Sequence, residues 1–134
     1  MSKAYFVSGI DTDAGKTYVT GYIARHLMDT GKRVITQKFI QTGNVGFSED
    51  IELHRRIMGT GMLPEDIDHT TAPVIFSYPA SAQLAARIDG KEIDLDVIDR
   101  ATQRLLSLYD IVLIEGAGGL AVPITDTFMA IDYV

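Results

Sequence analysis

Two rhythms of apolar residues alternate along the chain. Short continuous runs, rich in branched and aromatic side chains, cover residues 4–10 ("AYFVSGI"), 33–40, 74–78 ("VIFSY") and 110–116 ("DIVLIEG"), and each predicts a strand. Between them the apolar positions recur three and four apart. Val19, Tyr22, Ile23 and Leu27 predict a helix over residues 16–30 with that stripe buried and Gly31 as its stop. Ser48 caps a predicted helix running to Met58, with Ile51, His54, Ile57 and Met58 on one side and Gly59 and Gly61 beyond its end. Asp94 caps another that reaches Leu108, with Leu95, Ile98, Leu105 and Leu106 as its buried stripe. After Pro79, "ASAQLAARI" is a shorter helical segment. "QTGNVGFS", "LPEDIDHTTAP" and "VPITDT" carry neither rhythm and are expected to be loops, with the last residues starting one more helix.

Strands alternating with helices predict an α/β fold with a parallel sheet flanked by helices. The unbroken apolar run at 110–116 is what a strand buried on both faces of such a sheet needs. At 134 residues and 46% hydrophobic, the chain fits one domain with a real core. A net charge of −6 counts against nucleic acid or an anionic membrane as the main partner, while leaving room for an anion in one local pocket. The absence of cysteine excludes disulfides, thiolate zinc sites and Cys-ligated iron–sulfur clusters. No run is long enough to span a bilayer, and the apolar start lacks the basic flank of a signal peptide, so the expected location is the cytoplasm.

Candidate chemistry gathers at three strand ends, where open α/β sheets bind ligands. The first is "GIDTDAGKT", residues 9–17, between a predicted strand and a predicted helix. That is the setting of a phosphate loop, G-x-x-x-x-G-K-[ST], although here the spacing between the glycines is one residue longer. Gly15 lets the backbone approach an anion, and the first amides of the helix point at it without intrahelical acceptors. The predicted nucleotide contacts are Asp13, Ala14, Gly15, Lys16, Thr17 and Tyr18, with Lys16 on the β- and γ-phosphates and the Thr17 hydroxyl on Mg²⁺. The second end is "VITQKFIQTG": Lys38 closes an apolar strand, where it is either aimed at phosphate or snorkelling to solvent. The third is "IVLIEGAGG": Glu115 ends a buried strand before a glycine-rich turn and is a candidate metal ligand. Asp50 stands in the first turn of a helix, where dipole effects alone favour an acid, and His26, His54 and His69 lack metal-ligand spacing.

These positions resemble the dethiobiotin synthetase family from end to end. "YFVSGIDTDAGKT" is similar to that family's opening G-T-D-T-x-x-G-K-T, which shares the extra residue. "QKFIQTG" resembles its K-P-x-x-[ST]-G segment with Phe39 in place of proline, and "IEGAGGLAVPITD" its E-G-A-G-G…P…D segment. "YPASAQLAA" resembles its P-x-S-P-H region, with Ala82 and Gln83 where Pro and His are usual. The resemblance implies a phosphate-loop NTPase-like, Rossmann-type domain. It also implies a cyclo-ligase joining 7,8-diaminopelargonate, CO₂ and ATP into dethiobiotin, ADP and phosphate. By the same resemblance Lys16 and Lys38 are catalytic, Thr17, Asp50 and Glu115 hold Mg²⁺, and Thr12, Asp13, Lys38, Thr42 and Gly118 line the substrate. Asp13 often corresponds to a longer glutamate in relatives. A homodimer is implied, with the substrate tail held across its interface.

Members of the family are longer, so an amino-terminal portion with weak or no turnover by itself is the expectation for these 134 residues. Two other classes fit a phosphate loop. A partitioning-type ATPase switch would carry a lysine early in the loop, where Asp11 stands. A regulatory nucleotide-binding domain would bind Mg–ATP without needing Lys38. A related amide ligase acting on a corrin precursor differs by substrate.

Overall fold

The computed structural model describes residues 2–7, 14–77, 82–90, 93–116, 123–125 and 128–129. Its elements in chain order are β1 (Lys3–Val7), α1 (Ala14–Asp29), β2 (Val34–Lys38), β3 (Gln41–Thr42), α2 (Glu49–Met58), α3 (Pro64–Ile67), β4 (Ile75–Phe76), α4 (Ala82–Ile88), α5 (Leu95–Leu108), β5 (Ile111–Glu115), β6 (Pro123–Thr125) and β7 (Phe128–Met129). The main sheet is three-stranded and parallel in the order β1-β5-β2. Its central strand, β5, is buried along its whole length, as its unbroken apolar run requires.

Helices cover the sheet on both faces. Odd-numbered residues of β5 meet α1 and α2 in a cluster of Ala24, Val34, Met58, Ile111 and Leu113. Even-numbered ones meet α4 and α5 in a larger cluster that includes Ile35, Phe39, Phe76, Ala85, Ile98, Leu105, Val112 and Ile114. Phe6 sets its ring edge-on to Phe39 at 5.6 Å on that second side. The two-residue period of a strand therefore sorts Thr36 and Lys38 to the α1/α2 face and Gln37 to the α5 face. There Gln37 Oε1 accepts a hydrogen bond from Thr102 of α5 at 2.8 Å.

Local signals set the helix ends. Ser48 Oγ accepts from the Ile51 amide at 3.2 Å, and Gly59 ends α2 in the left-handed region at φ 77°. Asp94 caps α5 through the amides of Asp96 and Val97. Gly31, at φ 92°, turns the chain after α1.

Four expectations are corrected. The stripe Val19, Tyr22 and Ile23 of α1 is exposed, and Thr17, Thr20, Gly21 and Ala24 face inward. Small residues win because α1 lies against α2, where a Cβ on Gly21 would sit 2.8 Å from Ile57 Cδ1. "LPEDIDHTTAP" contains the single-turn helix α3, begun by Pro64 at its first position. The start of "QTGNVGFS" forms β3, paired in parallel with β4. "VPITDT" and the following residues hold β6 and β7, paired antiparallel, where a loop and a helix start are expected.

Candidate active site

Register builds the site. Lys38 of β2 and Val7 of β1 both pair with Glu115 of β5, so the three residues form one row at the carboxyl end of the sheet. Side chains in one row of a parallel sheet share a face, which puts the Lys38 ammonium beside the Glu115 carboxylate. Lys38 Nζ donates to Glu115 Oε2 at 2.7 Å and lies 2.7 Å from Asp50 Oδ2. Asp50 comes from the first turn of α2, which packs over β2 on that face. Thr17, in the first turn of α1, donates from Oγ1 to the same Glu115 Oε2 at 3.2 Å. Four residues separated by up to 98 positions thus meet at one point.

Burial sharpens their electrostatics. The Glu115 and Lys38 side chains are 1% and 8% exposed, whereas Asp50 keeps 26% of its surface open to solvent. Burial alone would push the Glu115 carboxyl up, but a hydrogen bond from His54 and the charge of Lys38 overcome it and hold the group down at about 2. Burial likewise opposes the charge on Lys38, and Glu115 and Asp50 together outweigh it and raise the ammonium above its ordinary value. Lys38 is therefore held as an ammonium between the two carboxylates.

His54 supplies the remaining contact. Its ring is fully buried on α2, with Nε2 2.9 Å from Glu115 Oε1 and Nδ1 2.6 Å from Thr36 Oγ1. Behind it Arg55 donates from Nη1 to Thr36 Oγ1 at 2.8 Å and forks onto Asp66 with two bonds of 2.8 Å. By sequence His54 shares a side of α2 with Ile51, Ile57 and Met58 and lacks metal-ligand spacing. Its spacing carried a usable signal: His54 follows Asp50 by one helical turn and so shares its face. Arg55 carried no such signal, being a charge beside an apolar stripe.

The structure brings together Thr17, Lys38, Asp50 and Glu115. Gly15 and Lys16 lie in the same first turn of α1, Gly15 exposed and Lys16 half-buried, and Ala14 opens the helix. Tyr18 follows, with 45% of its surface exposed. Thr42 stands half-buried on β3, and among the described residues no hydrogen bond joins it to Lys38, Asp50 or Glu115. Thr12, Asp13 and Gly118 lie outside the described residues.

A test of metal fit gives a specific answer. The hydroxyl of Thr17 and the carboxylates of Asp50 and Glu115 are the oxygen donors that a hard divalent cation takes. The cation that lies between the two carboxylates here is the Lys38 ammonium. Among the described residues, no three His, Asp or Glu are grouped as a ready metal cage. The donor set fits Mg²⁺ in chemical type, with Lys38 as the charge already in place.

Comparison with known proteins places this geometry. A family profile described as an AAA domain matches residues 3–134. The ATP-dependent dethiobiotin synthetase of Chlorobaculum tepidum is 54% identical over 128 residues, covering 96% of this chain and 54% of that protein. A second such synthetase of Haemophilus influenzae is 46% identical over 134 residues, covering all of this chain and 70% of the relative. The corresponding protein of Pasteurella multocida is also 46% identical, with 63% of its length covered. The chain thus spans between about half and about two thirds of these curated relatives. With a parallel α/β sheet, a helix after the first strand that opens on Ala-Gly-Lys-Thr, and these matches, the chain belongs to the dethiobiotin synthetase family of phosphate-loop AAA domains.

Proposed function

We propose that this chain supplies the phosphate- and metal-facing part of an ATP-dependent dethiobiotin synthetase. The observation that carries the reading is the Lys38 ammonium fixed between Asp50 and Glu115, beside Thr17 in the first turn of the helix that follows the loop. In the reaction an amine of 7,8-diaminopelargonate takes up CO₂ as a carbamate and releases a proton. A carbamate oxygen attacks the γ-phosphorus of ATP and ADP leaves. The second amine then attacks the carbonyl carbon, phosphate departs, and the cyclic urea closes.

Such chemistry asks a protein mainly to hold three anionic or polar partners in line and to neutralise charge. The amides from Asp13 to Tyr18 are suited to cradling the polyphosphate, with Lys16 as a point charge. Among the described residues a Cβ on Gly15 would meet nothing within 4 Å, so packing there does not require glycine, and close approach of a ligand would. Lys38, held as an ammonium, is suited to stabilising the carbamate and the phosphoryl group. Thr17, Asp50 and Glu115 would hold Mg²⁺, which supplies positive charge to the phosphates when bound. Thr12, Asp13, Thr42 and Gly118 would contact the diamine, a role that rests on the resemblance of their motifs. The homodimer rests on it too, whereas the cytoplasmic location is proposed from the sequence. Among the described residues no helix is long and apolar enough to cross a membrane.

Calorimetry with diaminopelargonate and a non-hydrolysable ATP analogue, separately and together, tests the reading. The diamine is expected to bind, and Lys38→Ala to weaken ternary binding by about tenfold to a hundredfold, the worth of one charged hydrogen bond. Binding of the diamine that ignores Lys38 would remove the mechanistic assignment. ATP hydrolysis stimulated by a protein or DNA, with no response to the diamine, would favour an ATPase switch.

A further inference from the structure

Glu115 presents two oxygens to two different sets of partners. Oε2 is shared by Lys38 and Thr17, and Oε1 faces, among the described residues, only His54. His54 is fully buried and held from behind, so the ring has one available pose. The hydrogen bonds also fix which nitrogen must donate to Glu115. Arg55 can only donate, and its Nη1 donates to Thr36 Oγ1 at 2.8 Å. An ionised Glu115 can only accept, so Nε2 of His54 must carry a proton. The Thr36 hydroxyl, accepting from Arg55, stands 2.6 Å from Nδ1 and holds the other side of the ring. One chain of contacts results: Asp66 anchors Arg55, Arg55 orients Thr36, Thr36 braces His54, and His54 grips Glu115.

We infer that His54, donating from Nε2, is a positioning residue that holds Glu115 Oε1 so that Oε2 stays turned toward Thr17, Lys38 and the proposed Mg²⁺ site. It rests on the proposed function only for the identity of that cation. Without the His54 bond the Glu115 carboxylate is free to rotate about its last side-chain torsion, and the shared oxygen loses its aim. Partners of this kind behind a metal-ligating group are worth about tenfold to a hundredfold in metal affinity.

The test uses the intact protein and three measurements. Long-range ¹H–¹⁵N NMR of the histidines is expected to show His54 with a proton on Nε2. An Nε2 without a proton would overturn the inference. Calorimetric Mg²⁺ titration in the presence of the ATP analogue is expected to show about a tenfold to hundredfold weaker cation site in His54→Leu. His54→Gln, whose amide nitrogen can replace Nε2 as donor, is expected to recover most of that loss. Equal loss in both variants, each shown to be folded by thermal melting, would overturn the positioning role and leave His54 as packing only. Should His54→Leu not fold, the His54→Gln titration and the wild-type NMR still decide: Gln must bind within severalfold of wild type, and Nε2 of His54 must carry a proton. Failure of the wild-type protein to bind Mg²⁺ with the nucleotide would defeat the proposed function instead, and the NMR spectrum would then judge the His54 contact by itself.

Discussion

Two ion-paired clusters sit on the same face of β2, joined through Thr36, and they differ in one respect that matters. In the inner one, Arg55 meets Asp66 with both side chains 1% exposed. One cation faces one anion, and the remaining valences are filled: Arg55 also donates to Thr36, and Asp66 accepts from Thr71 Oγ1 at 2.6 Å and the Leu63 amide at 2.8 Å. In the outer one, a single ammonium, Lys38, faces two carboxylates, Asp50 and Glu115, and Asp50 opens to solvent. The inner cluster is balanced and closed. Among the described residues, the outer one pairs two carboxylates with one ammonium, and it has a door. Burial alone does not separate a structural ion pair from a functional one; charge balance and access do.

The largest expected effect falls on turnover. Lys38→Ala in the intact protein should lower the rate by about a hundredfold to a thousandfold, as removal of one charge-stabilising donor does. The folded state it leaves carries two carboxylates without their cation, and its thermal stability should rise on adding Mg²⁺ more than that of wild type. Next comes Arg55→Met, which strands Asp66 in the interior and should cost about 3–5 kcal/mol in urea unfolding. Mg²⁺ should not rescue it. A rescue there, or none for Lys38→Ala, would erase the distinction between the clusters.

The acid limb of stability sharpens the comparison. Glu115 is held at about 2, below its ordinary 4.5, and Asp66 is depressed by its Arg55 bonds working against burial. A carboxylate depressed on folding contributes stability that is full above its unfolded value and fades as pH falls through its folded one. Urea midpoints should therefore fall between about pH 4.5 and 2. Asp66→Asn and Glu115→Gln should each flatten that fall. Lys38, raised on folding, contributes stability below its unfolded value and loses it only as pH rises through its folded value at the alkaline end.

Much of this was legible in the sequence, and the exceptions have physical causes. The unbroken run of β5 announced a central parallel strand, and Asp94 and Ser48 marked helix starts that the structure keeps. The face of α1 was misread because apolar residues were assumed to turn inward, whereas close helix contact selected Gly21, Thr17, Thr20 and Ala24. The turn of α3 is too short to show a helical period. In the site, Thr17, Lys38 and Glu115 stand at strand or helix ends where ligand chemistry is expected, and Asp50 gained weight only through the family resemblance. His54 and Arg55 were missed because their partners come from β2 and β5 by register and from α3, none of which a one-dimensional pattern displays.

The smallest effect concerns the frame. Gly21→Ala would press a Cβ onto Ile57 and push α2 from α1, at a cost of about 1–3 kcal/mol. Because Thr17 is on α1 and Asp50 on α2, it should weaken cation binding before it unfolds the protein.

The pairing of two carboxylates with one ammonium in the outer cluster is tested most directly by titrating Mg²⁺ into the intact protein with the ATP analogue, in wild type and in Asp50→Asn. One cation per chain is predicted for wild type, with affinity reduced at least tenfold in Asp50→Asn, since a ligand carboxylate is lost. Equal affinity in the two proteins would contradict the account.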